Sequence, residues 1–192
     1  MMQAAKQAAP AATNAGPEAG PWRGTGIEGH VLPDDGLIPN NRRLPIVLYR
    51  EALALSGTGA PDQAFAALFR SNGWHGIWAG GIYDFHHYYS TAHEVLGIAK
   101  GAAQVRFGGP RGIVAELAAG DAVVIPAGVG HCLIEGDDLV VVGAYPEGQD
   151  WDLCRATEAD RAKALENIAW VPLPRLDPVF GASGPILALW TD

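Results

Sequence analysis

Between Ile82 and Tyr145 the chain packs seven short runs into about 65 residues: IYDFHHYY, HEVLGIAK, AQVRF, GIVAEL, DAVVIP, HCLIE and LVVVGAY. Turn signals such as GGPRG, AAGD, PAGVG and EGDD part them. Apolar or alternating runs of this length predict strands, and turns of two to five residues can join only antiparallel neighbours, because a parallel crossover needs about a dozen residues. No helical period intervenes. The expected fold class is all-β, a small antiparallel β-barrel or sandwich, with one helix before it and one after it. The first helix is PDQAFAALFRSNG, with Pro61 in the opening turn, Ala64, Phe65, Leu68 and Phe69 on one face, and Gly73 as its stop. The second is TEADRAKALENIAW, with an acidic first turn and a predicted packing stripe of Ala159, Ala162, Leu165 and Ile168. A further short strand is expected in LPIVLYR.

Composition agrees with short elements. Gly 25 and Pro 14 in 192 residues leave little room for long helices. Residues 1–30 read as a flexible Ala/Gly/Pro-rich tail, and GTGIEG within it lacks both the strand before and the helix after that a dinucleotide site requires. Residues 31–192 read as one domain, with the barrel core at about 74–146 and a helix and irregular arm at 157–192. The net charge of −8 would repel a phosphate backbone, so nucleic acid is not an expected partner. Two cysteines, Cys132 and Cys154, make no disulfide framework. No run approaches 18 apolar residues and no apolar signal segment opens the chain, so no membrane partner and a cytoplasmic location are expected.

The chemistry concentrates in GIYDFHHYYSTAHEVLGIAKG and in GDAVVIPAGVGH. The second segment places Gly120, Pro126, Gly128 and His131 at the spacing G(x)5PxG(x)2H, and the first places Glu94 seven residues before Gly101. These spacings resemble the two motifs of the cupins. More narrowly, PDDGLIPNN, LPIVLYREAL, NGWHGIW, VVGAYPEG and the closing DPVFG resemble YjlB-like cupins from about Pro33 onward. The resemblance implies a cupin barrel, or double-stranded β-helix, a metal pocket and a homodimer, but no particular reaction.

Strand alternation makes sense of the same residues. Tyr83, Phe85, His87 and Tyr89 should face one way, and Asp84, His86 and Tyr88 the other. With Glu94, Leu96 and Ile98 inward on the next strand and His131 entering after PAGVG, two imidazoles and one carboxylate converge. That set suits a divalent transition metal, with Fe, Zn, Ni and Mn all candidates, and leaves coordination positions open for a small-molecule ligand. His87, Glu94 and His131 are thus the expected metal ligands, and Tyr89 and Tyr83 the expected hydrogen-bond or proton donors. Tyr89 stands where the cupin pattern has its second histidine. A phenol is a poor ligand at neutral pH, so three readings stay open: a substrate-facing hydroxyl beside a three-ligand site, a Tyr-ligated ferric site, or a site without metal. The functional expectation is a metal-dependent enzyme, an oxygenase or isomerase, acting on a small organic molecule. The alternatives are a small-ligand binding or sensing cupin and a metal-independent epimerase with a His87 base. Cys132 reads as core filler, Glu135 as a solvated strand end, and Trp74, Trp78, Trp151, Trp170 and Trp190 as core and lid packing.

Overall fold

The structure is a computed structural model that describes residues 26–55 and 59–191. Its frame is one seven-stranded antiparallel sheet: β1 (Ile27–His30), β2 (Ile46–Tyr49), β3 (Trp74–Gly80), β4 (Glu94–Phe107), β5 (Ile113–Ala118), β6 (Ala122–Ile125) and β7 (His131–Pro146). The strand order is β1-β2-β6-β4-β7-β3, with β5 also on β4, and β1 and β3 end the sheet without meeting. The sheet is therefore open, and the expected barrel is not closed. Helix α1 (Pro61–Ser71) precedes β3; α2 (Glu158–Ile168) and the short α3 (Ile186–Leu189) follow β7. No helix among the described residues is long and apolar enough to cross a membrane.

Both faces of the sheet are covered, and alternation sorts the residues between them. Ile46, Leu48, Leu96, Ile98, Val105, Phe107, Val123, Ile125 and Val141 form the inner core. Their neighbours Val47, Tyr49, Val95, Ala122, Val124 and Val142 form the outer one, under Phe65 and Phe69 of α1 and Val179, Ile186 and Trp190 of the C-terminal arm. The arm is fastened by the fully buried Asp177, which accepts hydrogen bonds from the Tyr49 hydroxyl at 2.7 Å and from the backbone N–H groups of Val179, Phe180 and Ile186.

Several expectations need correction. HEVLGIAK and AQVRF are one strand, as are HCLIE and LVVVGAY. Gly101, at φ 76°, lets β4 bend while its ladder to β7 continues through register shifts, where a Cβ would overlap the backbone of Asp137 and Asp138. IYDFHHYY is not a regular strand, and Trp74–Gly80, absent from the seven expected, is one. The tail expected to reach residue 30 stops short of it, since Ile27–His30 pairs with Ile46–Tyr49; its first 25 residues lie outside the described ones. Helix α2 turns a different face inward from the one expected. Ala159, Ala162 and Leu165 are exposed and Ala164 is buried against the cluster of Ile38, Tyr88 and Cys154. Polar contacts decide that orientation. Arg161 reaches Asp34 at 2.6 Å, Asn167 donates to Ser90 Oγ at 2.9 Å, and Thr157 caps the helix by accepting from the Asp160 N–H.

Phe65 is fully buried, and its ring fills the space above Gly97 of β4. Phe65→Ala should lower the stability measured by denaturant unfolding by about 3–5 kcal/mol. A change below about 1 kcal/mol would mean that α1 does not close the outer core.

Candidate functional site

Residues 87–89 hang between two partners. His87 and His131 exchange backbone hydrogen bonds, His87 N–H to His131 O at 3.2 Å and His131 N–H to His87 O at 2.9 Å. Tyr88 does the same with Cys154, at 3.0 and 2.9 Å. The segment thus alternates by residue although it is no strand. Tyr88 turns into the cluster beside α2, while His87 and Tyr89 turn inward. Residues opposed in such a bridge project to the same side, so the His87 and His131 rings lie with centroids 4.0 Å apart.

Glu94 opens β4 opposite Ile125 and shares the inward parity of Leu96 and Ile98. Its Oε2 lies 3.4 Å from His131 Nε2. His87, Glu94 and His131 are only 2%, 1% and 2% exposed, yet all three border one cavity of about 510 Å³ together with Tyr89, Tyr83, Trp78, Tyr145 and Trp151. The five expected site residues are therefore brought together, Tyr89 buried and Tyr83 half-exposed at the rim. The cavity's remaining aromatic wall was not expected to serve the site. Trp78 donates to the Tyr145 hydroxyl at 3.0 Å, and it can lie flat on β7 because Gly143 has no Cβ to overlap the indole. Tyr145 shares the inward parity of His131, Val141 and Gly143 on β7, so strand alternation counted forward from His131 points to it.

The other histidines go elsewhere. His93 is buried outside the cavity, its Nδ1 accepting from the Ala127 N–H at 2.9 Å and its ring 4.7 Å from that of Trp190. His86 is half-buried on the opposite side, near Arg106 and Asp35. Cys132 is half-buried beside Asp84 and Arg106 and not in the core. Glu135 is exposed. Trp74 and Trp190 are core residues, whereas Trp170 is 85% exposed.

Electrostatically the site is an unbalanced carboxylate. Neither oxygen of Glu94 has a hydrogen-bond partner, and burial pushes its carboxyl up to about 8, offset only in part by the nearby Tyr145 hydroxyl. Burial also lowers His87 and His131, holding both imidazoles neutral. His87 Nδ1 lies 3.1 Å from the Phe85 carbonyl, so it is the N–H tautomer that donates there and Nε2 keeps its lone pair. Burial, and then Glu94, raise the Tyr89 phenol. Neutral imidazoles facing an unpartnered buried carboxylate are the donors a divalent cation takes. Among the described residues, no three His, Cys, Asp or Glu side chains are drawn together as a metal cluster; the contacts present are pairwise.

The chain is 39% identical over 162 residues to the uncharacterized protein YjlB of Bacillus subtilis strain 168, covering 84% of this chain and 94% of that one. It belongs to the YjlB-like cupin family. No protein-family model matches it. Among solved structures it is similar to an acireductone dioxygenase from Bacillus anthracis with a cadmium ion in its active centre, 16% identical with a TM-score of 0.36 over 48% of this chain and 62% of that one. It is also similar to a DUF861 family protein from Thermotoga maritima, 22% identical with a TM-score of 0.30 over 47% and 94%.

The raised Glu94 carboxyl has a signed consequence. Its folded value lies above the ordinary 4.5, so its contribution is complete below about pH 4.5 and lost as the pH rises toward 8. The buried histidines act oppositely, losing stability as the pH falls below 6.5. Metal-free protein should therefore lose about 2 kcal/mol between roughly pH 6.5 and pH 8, and Glu94→Gln should abolish that loss. Equal slopes for the two proteins in thermal melts would show that Glu94 is solvated or already paired.

Proposed function

We propose that this chain is a metal-binding cupin that acts on a small organic molecule in the cavity bordered by His87, Glu94 and His131. The observation that carries the reading is Glu94, a carboxylate 1% exposed, with no hydrogen-bond partner and the Nε2 of His131 at 3.4 Å. An isolated buried carboxylate is among the least favourable groups in a protein, and a cation held jointly with the neutral imidazoles removes the penalty.

His87, Glu94 and His131 would hold the metal, which when bound supplies Lewis acidity toward a ligand oxygen. The chain's own groups do the rest. The Phe85 carbonyl fixes the His87 tautomer, leaving Nε2 as the inward donor. Tyr89, at the position of the cupin pattern's second histidine, keeps its proton and offers a hydroxyl to the ligand. Tyr145, held by Trp78 and packed beside Tyr89, offers a second hydroxyl. Leu96 and Ile82 exclude water at the base.

A second reading, a ligand-binding or sensing cupin with a weakened metal site, is favoured by the absence of a three-residue cluster among the described residues. In that case Glu94 is protonated at neutral pH and acts as a hydrogen-bond donor.

Elemental analysis of protein reconstituted with Fe, Zn, Ni or Mn should find about one equivalent of bound metal, and His131→Ala or Glu94→Gln should weaken it at least about ten-fold. Tyr89→His should strengthen it. Well under one equivalent for every metal would leave the second reading standing.

A further inference from the structure

We propose that the cavity is built for an uncharged, planar aromatic ligand, gripped at the rim by Trp151. This names the ligand class of the site above and rests on that cavity being the ligand site.

Of the residues bordering the cavity, Trp78, Tyr83, Tyr89, Tyr145 and Trp151 carry aromatic rings, and none of the described lining residues is Lys or Arg. Apart from the metal proposed at the base, an anionic ligand would find no cation there and would face the Glu94 carboxyl, whereas a flat π-system would find ring faces and edges on several sides. The inner rings are already arranged as a box. Tyr145 and Trp151 stack at 6.2 Å with planes 24° apart, and Tyr89 meets Trp151 at 5.7 Å and 56°. Tyr83, 50% exposed, continues the aromatic rim on the other segment, stacked on Phe85 at 4.8 Å.

The fixing of Trp151 is the decisive feature. The residue is 54% exposed, so its contacts with Tyr145 and Tyr89 hold only one side of the ring. The residues on either side of it are themselves tied. The Asp152 carboxylate accepts from the N–H and hydroxyl of Ser90, each at 2.6 Å, and from the N–H and hydroxyl of Thr91 at 3.2 and 3.1 Å. The Asp150 carbonyl accepts from the Thr91 hydroxyl at 2.7 Å. A large ring left half in water, on a segment tied through Asp150 and Asp152 by five hydrogen bonds, is preorganised for a ligand that completes its burial.

The test titrates metal-free protein by calorimetry with 2-naphthylmethanol, with its decahydro counterpart and with 2-naphthoate. The saturated alcohol has at least as much apolar area but a puckered ring, so a preference for the aromatic one reports flatness and ring stacking and not hydrophobicity. Wild type should bind the aromatic alcohol about ten-fold or more tightly than the saturated alcohol and than the carboxylate. Trp151→Ala should lose the aromatic preference, Trp151→Phe should keep most of it, and Trp170→Ala, at an exposed tryptophan outside the cavity, should leave it intact. Equal affinity for the two alcohols, a carboxylate bound as tightly as the aromatic alcohol, or an unchanged preference in Trp151→Ala would overturn the proposal. Cobalt uptake by wild type and Trp151→Ala, measured separately, should be the same. In wild type, no aromatic preference with cobalt bound removes this inference alone, and no cobalt with the preference present removes only the metal reading.

Discussion

The carboxylate of Glu94 is placed on the first residue of β4 by the same alternation that sends Leu96 and Ile98 into the inner core, and so it is buried by the sheet whether or not anything pairs with it. Register makes this unavoidable. Shifting β4 by one residue would bring Glu94 outward but would expel the whole inner row. The protein therefore carries at the base of its cavity a carboxyl that is costly to ionise unless a cation pairs with it, and the neighbouring groups are arranged around it. His131 lies against Glu94, His87 is coupled to His131 through two backbone hydrogen bonds, and the Tyr145 hydroxyl stands near.

That arrangement gives the cavity two levels. The base, formed by Glu94, His87 and His131, is polar, almost wholly buried and suited to a cation. The upper wall is aromatic, and the rings of Trp151 and Tyr83 are left half-exposed around its opening. The C-terminal segments contribute by fixing the walls from outside. The 150–154 stretch ties Trp151 and Tyr88 in place, and Asp177 pins the arm over the outer core.

Much of this was legible in the residues, and the failures share a cause. The motif spacing around Gly101, Gly120 and Gly128 fixed the cupin scaffold, and strand parity put His87, Tyr89 and Glu94 on one side and His86, His93 and Tyr88 elsewhere. Parity survived even though residues 81–93 are not a strand, because the two bridges at His87 and Tyr88 impose the same alternation that a ladder would. What could not be read was anything depending on where long strands bend or on which partner a segment meets. Gly101 and the shifts along β7 merged four expected strands into two. Helix α2 was misoriented because its apolar stripe competes with Arg161 and Asn167, whose partners Asp34 and Ser90 are far off in sequence. Trp151 looked like packing because nothing local distinguishes a rim tryptophan from a core one.

The most direct measurement is anomalous diffraction from crystals of the cobalt-loaded protein, recorded at the cobalt edge. A single peak within bonding distance of His87, Glu94 and His131, with Tyr89 beside it, is the result this account predicts. Cobalt bound elsewhere, or a Glu94 carboxylate seen paired only with protein groups while the cavity holds no metal, would contradict it.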